Sequence, residues 1–184
     1  MRYPIIPFLL SALFAVSLPV YADTPASPAR LDQVAERGRH AMPFNLEKTL
    51  HIFEKTAHGG IQQVIANDPS DQTQIGLIRR HLAELNMRFK QGDFSPQRQV
   101  HGDTMPGLAE LAASHSRIQF NYRELSNGAE IEYSAEDPGL VDAIHRYFNA
   151  QLRDHARHAT DGKPAHCQHM QHKHAGKHHP HNQE

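Results

Sequence analysis

"RIQFNYRELSNGAEIEYSAEDPGLVDAIHRYFNAQLRDH", residues 117–155, decides the fold class. Two short runs rich in β-branched and aromatic residues flank Asn127-Gly128, the strongest short-range hairpin signal. Asp137 and Pro138 then open a segment in which Val141, Ile144, Phe148 and Leu152 recur at helical spacing. An Asp caps the free amides of a first helical turn, and a Pro suits its first position. The stretch reads as two strands and an amphipathic helix.

The same plan recurs upstream. "TLHIFEKTAHGGIQQVIA" (49–66) has two β-type runs about a His-Gly-Gly turn. "NDPSDQTQIGLIRRHLAELNMRFKQGDF" (67–94) follows, with Asp68 as expected N-cap, Pro69 as first helical residue and Gly92 as stop. Ile75, Ile78, Leu82, Leu85 and Phe89 share one helix face. Gly59 and Gly128, Asp68 and Asp137, and Pro69 and Pro138 are each 69 residues apart, and His51 falls opposite Phe120. A single ββα unit buries too little surface to fold alone. The expectation is an α+β fold, in which a tandem ββα repeat (about 47–92 and 116–158) forms a four-stranded, mainly antiparallel sheet covered on one face by two helices. The link between the units reads as a loop, then a short helix starting near Pro106.

The first 22 residues read as a signal peptide: Arg2, an apolar run from about Ile5 to Val20, then small residues at the cleavage spacing. The mature chain is then expected in the periplasm or outside the cell, with no integral membrane segment after cleavage. Residues 23–41 read as a Pro/Ala-rich leader with one helical segment around Leu31 to Arg37, 42–158 as the domain and 159–184 as a tail. With 19 Lys plus Arg against 20 Asp plus Glu, no standing charge favours nucleic acid. Cys167 is the sole cysteine, so no intramolecular disulfide can form.

The tail contains "HCQHMQHKHAGKHHPH" (166–181), low in complexity and expected to be disordered without a ligand. Imidazole is the commonest biological metal ligand, and His166, His169, His172, His174, His178, His179 and His181 sit at varied spacings that suit an adaptable chelator. Cys167 and Met170 add soft sulfur ligands that favour Cu(I). The expected cofactor is a divalent transition metal or Cu(I), and the expected partners are metal ions and a periplasmic metal-handling protein.

Elsewhere, His101 and Met105 in "VHGDTMPGL" (100–108) are either a copper-type ligand pair or a structural turn with Met105 in the core. His155 and His158, three apart, either bridge a metal or favour a helix C-terminus when charged. His51 shares a strand face with Phe53 and reads as a hydrogen-bonded core histidine, while His81 and His145 flank the apolar helix stripes. No Gly-rich phosphate loop, Gly-x-Ser-x-Gly or His-Glu-x-x-His occurs. The leading expectation is therefore a periplasmic protein for copper, zinc or nickel buffering, delivery or tolerance. The alternatives are an exported enzyme with its site around His101 and Asp103, and an adaptor whose histidines charge in acid.

The segments 42–82, 101–111 ("HGDTMPGLAEL") and 136–158 ("EDPGLVDAIHRYFNAQLRDHARH") together resemble a family of small exported bacterial proteins, often labelled aspartate carbamoyltransferase, over roughly Met42 to His158. The resemblance implies these domain bounds and makes "HGDTMPGL" a family feature. The Ser-x-Arg-Thr and His-Pro-x-Gln segments with which carbamoyltransferases hold carbamoyl phosphate do not occur here, so it carries over no catalytic residues.

Overall fold

In the computed structural model, which describes residues 26–162, β1 (Thr49–Thr56) pairs antiparallel with β2 (Gly59–Ala66), and β3 (Gln119–Leu125) with β4 (Gly128–Ser134). The two-residue turns are Ala57-His58 and Ser126-Asn127, so Gly59 and Gly128 open the return strands instead of occupying the turns. The reason lies at the sheet centre, where β2 and β4 pair antiparallel with Gly59 opposite Ser134 and Gly128 opposite Ile65. A Cβ on Gly59 would lie 2.1 Å from the Tyr133 carbonyl oxygen, and one on Gly128 2.1 Å from that of Val64. Glycine is needed at both places because two backbones meet there. The register is unchanged when each residue is exchanged for the one 69 positions away.

The fold is α+β, with five α-helices and an open mixed sheet of order β3-β4-β2-β1-β5 among the described residues. The fifth strand, β5 (Ala159–Thr160), was not expected. It lies parallel to β1 opposite His51 and Ile52, anchored by the His51 amide donating to the His158 carbonyl. Two residues carry too little pattern to be read from sequence.

Helix α2 (Gln72–Lys90) packs over β3 and β4, and α5 (Pro138–Asp154) over β1 and β2, so each helix mainly covers the hairpin of the other half. Each also ties down the opposite hairpin's turn. Arg79 of α2 donates to the carbonyls of Leu125 (2.6 Å) and Gly128 (3.3 Å). His145 of α5 donates from Nε2 towards those of Thr56 (3.0 Å) and Gly59 (2.9 Å). The five expected core residues of α2 are all buried. On α5 the buried stripe is rotated onto Leu140, Ala143, Ile144, Tyr147 and Phe148, leaving Val141 and Leu152 at its margins.

The start of α2 is a correction. Asp71, not Asp68, is its N-cap, accepting from the Gln74 amide at 3.1 Å. Asp68 instead accepts from the Ser70 amide and hydroxyl, folding Asp68-Pro69-Ser70 into a turn before the helix. The segment read as a leader contains α1 (Pro28–Ala41), longer than expected, which packs on α3 and α5 and has Val34 and Gly38 buried. The link between halves holds α3 (Ser95–His101), read as loop, and α4 (Leu108–Ala113). No helix among the described residues is long and apolar enough to cross a membrane.

A buried histidine cavity as candidate site

The buried stripe of α5 turns polar in its last turn, where Gln151, Asp154 and the C-cap residue His155 replace the apolar residues. On β1 the inward row runs Phe53, His51, Thr49, also turning polar towards its start. Helix α3 ends on buried His101, and α2 presents half-buried His81. These ends meet around a cavity of about 40 Å³ lined by His51, His81, His101 and His155, with Gln62, Gln97 and Gln151 among its other walls. That volume suits one or two atoms of ligand or water and no organic molecule.

His101 is the most fully oriented of the four. Its Nδ1 donates to Asp154 Oδ2 at 2.9 Å, because a carboxylate can only accept. Arg30 of α1 holds the same carboxylate through Nε to Oδ1 (3.3 Å) and Nη2 to Oδ2 (2.5 Å), and Nη2 also donates to the His101 carbonyl at 2.8 Å. The other ring nitrogen of His101, Nε2, is hydrogen-bonded to His155 Nε2 at 3.3 Å. The His155 ring lies nearly parallel to His51, at 2° and 5.2 Å between centroids. His51 Nδ1 and Gln97 Oε1 are buried without a hydrogen-bond partner, and both belong to walls of this cavity. A buried polar atom left unpaired is costly, which marks the place as something other than ordinary core.

Burial drives the electrostatics. It pushes the His51 imidazole down to about 3, with help from neighbouring histidines, and His81 down to about 4. Burial likewise pushes His155 well below its ordinary value. All three are neutral at pH 7, the form that ligates metals. Burial alone would raise the Asp154 carboxyl, but hydrogen bonds from His101 and Arg30 outweigh it and bring it to about 2.

Several expected pairings separate here. Met105 packs in the apolar core and does not line the cavity, so His101 and Met105 do not form a site, and Gly102 turns the chain between them at φ 85°. Asp103 is exposed and pairs with Arg98, leaving Asp154 as the carboxylate on His101. His155 is buried beside His101, while His158 points to Glu47 at 3.3 Å, so these two do not share an ion. His145 serves the hairpin turn. The tail ligands His166, Cys167, His169, Met170, His172, His174, His178, His179 and His181 lie outside the described residues.

Comparison with known protein families, with curated proteins and with solved structures finds no match. Among the described residues, no group of three or more His, Cys, Asp or Glu side chains is arranged to hold a metal ion. The convergent pair of imidazole nitrogens is the feature with chemistry to offer. Asp154 and Arg30 were missed by the sequence reading. A signal for Asp154 did exist, because it extends the buried stripe of α5 three residues beyond Gln151. Arg30 lies 124 residues away from its partner, and no local pattern announces it.

Proposed function

We propose that this is an exported transition-metal-binding protein in which the folded domain holds one ion at the His101–His155 pair and the His-rich tail collects ions for it. One observation carries the reading: two imidazole Nε2 atoms face each other at 3.3 Å in a buried cavity. Two nitrogens bound to one ion at about 2.0–2.1 Å with a tetrahedral angle lie at about that separation. The Asp154 hydrogen bond supports it, since a ligating His commonly donates its other nitrogen to a carboxylate that fixes its tautomer. The matching position on the other hairpin supports it too. Phe120 there packs against Phe94 and Tyr133, so the fold accepts an apolar ring where it carries His51 on β1.

Native mass spectrometry tests the reading on the mature full-length chain and on the same chain with the nine tail ligands from His166 to His181 replaced by serine. After titration with Cu, Zn and Ni ions, the tail-silenced chain should keep one ion and the parent several. A tail-silenced chain that keeps none would confine metal binding to the tail. The Asp154–His101 bond also favours a second reading, an exported enzyme with His101 as oriented base. The cavity of about 40 Å³ weighs against it, because a substrate would have to displace its walls.

A further inference from the structure

We infer that the C-terminal tail, residues 163–184, docks across the open face of the sheet, its lysines held by a row of carboxylates. Where the tail sits is independent of what it ligates, so the metal-binding reading above can fail without this one.

Side chains alternate along a strand, and Phe53, Val64, Ile131 and Phe120 are buried under the helices. Their neighbours in sequence therefore point to the other face. There the register aligns Glu54, Ile61, Glu132 and Asn121 in one row over β1, β2, β4 and β3. Ile61 is half-buried and the other three are exposed. Such a row suits a lysine, offering its stem an aliphatic bed and its ammonium a carboxylate on either side.

Charge favours the same occupant. On this face Arg123 pairs with Glu130, and at its margin Arg117 pairs with Asp137. Among the described residues this leaves Glu54, Glu132 and Glu136 uncompensated. The tail carries Lys163, Lys173 and Lys177 against one acidic side chain, Glu184.

The chain also leaves the domain in the right place. Gly162, at φ 80°, turns it off the β5 edge, and a Cβ there would lie 3.4 Å from Ile52 Cγ2 and from Glu54 Cβ. Lys163 thus begins over the open face, beside the first carboxylate of the row. Three strand spacings, about 14 Å, separate β1 from β3, and about four or five extended residues cover that distance. At the far end lies an open groove of about 850 Å³ with His58, Arg117, Glu132, Ser134 and Glu136 among its walls. It has room for the residues that follow. Ammonium groups make the contact, so the imidazoles of the tail stay free.

Carbodiimide coupling, which joins a lysine directly to a carboxylate, tests this on the metal-free, mature full-length chain mixed with an equal amount of an isotope-labelled copy. Peptide mapping should find Lys163 joined to Glu132 as well as to nearby Glu54, and Lys173 or Lys177 joined to Glu136. These products should exceed those at Asp103 and Asp142, which are exposed among the helices, by about 5-fold or more. They should fall by about as much at about 1 M salt, where the screening length drops to about 3 Å. Replacing the exposed pair together, Glu54→Gln with Glu132→Gln, should cut coupling at Glu136 by about 3-fold or more, and Asp142→Asn should leave it unchanged. The salt series needs no variant, so it decides the matter even if the double substitution misfolds. Products that join labelled to unlabelled peptides would make a second copy the occupant and overturn the inference. Even coupling over all exposed carboxylates, coupling centred among the helices, or Glu136 products that withstand salt or the double substitution would overturn it too.

Discussion

Asp154 brings a negative charge into a site where its side chain is only 2 % exposed, and three hydrogen bonds from Arg30 and His101 keep it there. Asp154→Asn keeps the shape and removes the charge, leaving the Arg30 guanidinium without its counterion. Urea unfolding should show a loss of about 2–4 kcal/mol, below the top of the range for broken buried pairs because Arg30 is itself partly exposed. The neutral histidines make a second prediction, for metal-free protein. Phe44, His51 and Glu84 lie around His81, and burial holds it at about 4. The unfolded chain takes up that proton near pH 6.5, the folded chain only near 4. The unfolded state therefore binds more protons in between, and stability falls as pH drops from about 6.5 towards 4. Unfolding midpoints at pH 7, 6 and 5 should decline, and His81→Phe should flatten the decline. An unchanged slope in that variant would assign the pH dependence to other groups. From sequence, His51 reads as a core histidine on the Phe53 face. That position is correct, but its unpartnered Nδ1 depends on what α3 and α5 bring to it.

The helix starts show how local signals compete. "NDPSD" holds two aspartates that can cap, and Asp68 is spent on the Ser70 turn while Asp71 caps α2. Asp71→Ala should cost about 1 kcal/mol by thermal or urea unfolding, with Asp68→Ala costing less. In the second half the Asp-Pro pair does begin the helix, with Asp137 capping and Pro138 first. The two helices consequently start 66 residues apart, not 69. Arg79 and His145 keep that spacing of 66 and reach turns that are themselves 69 apart. Among the strands, Gly128→Ala would drive a methyl into the Val64 carbonyl of the central pair. The two strands cannot separate there without losing their ladder, so a loss of about 3 kcal/mol or more is expected, visible as a lowered melting temperature. A tolerated alanine would mean that the β2–β4 register is not the one described.

Because α2 covers mainly the second hairpin and α5 the first, neither half can bury its own apolar face. Residues 26–92 and 93–162 expressed separately should each lack a cooperative unfolding transition, and mixing them should restore one, as followed by circular dichroism. A half that folds alone would contradict the crosswise packing. The order of elements, the two hairpins, the amphipathic helices and the α+β class were legible along the chain, because strand alternation, helical spacing and turn chemistry are local properties. The candidate site was not. Met105 looked like the partner of His101 because the two are four residues apart, yet the chain turns at Gly102 and Met105 enters the core. Asp154, His155, His51 and Arg30 meet His101 only when α1, α3, α5 and β1 are packed together. Which buried rings face one another, and which carboxylate orients them, is set by contacts across as many as 124 residues, and no local periodicity encodes a contact of that range.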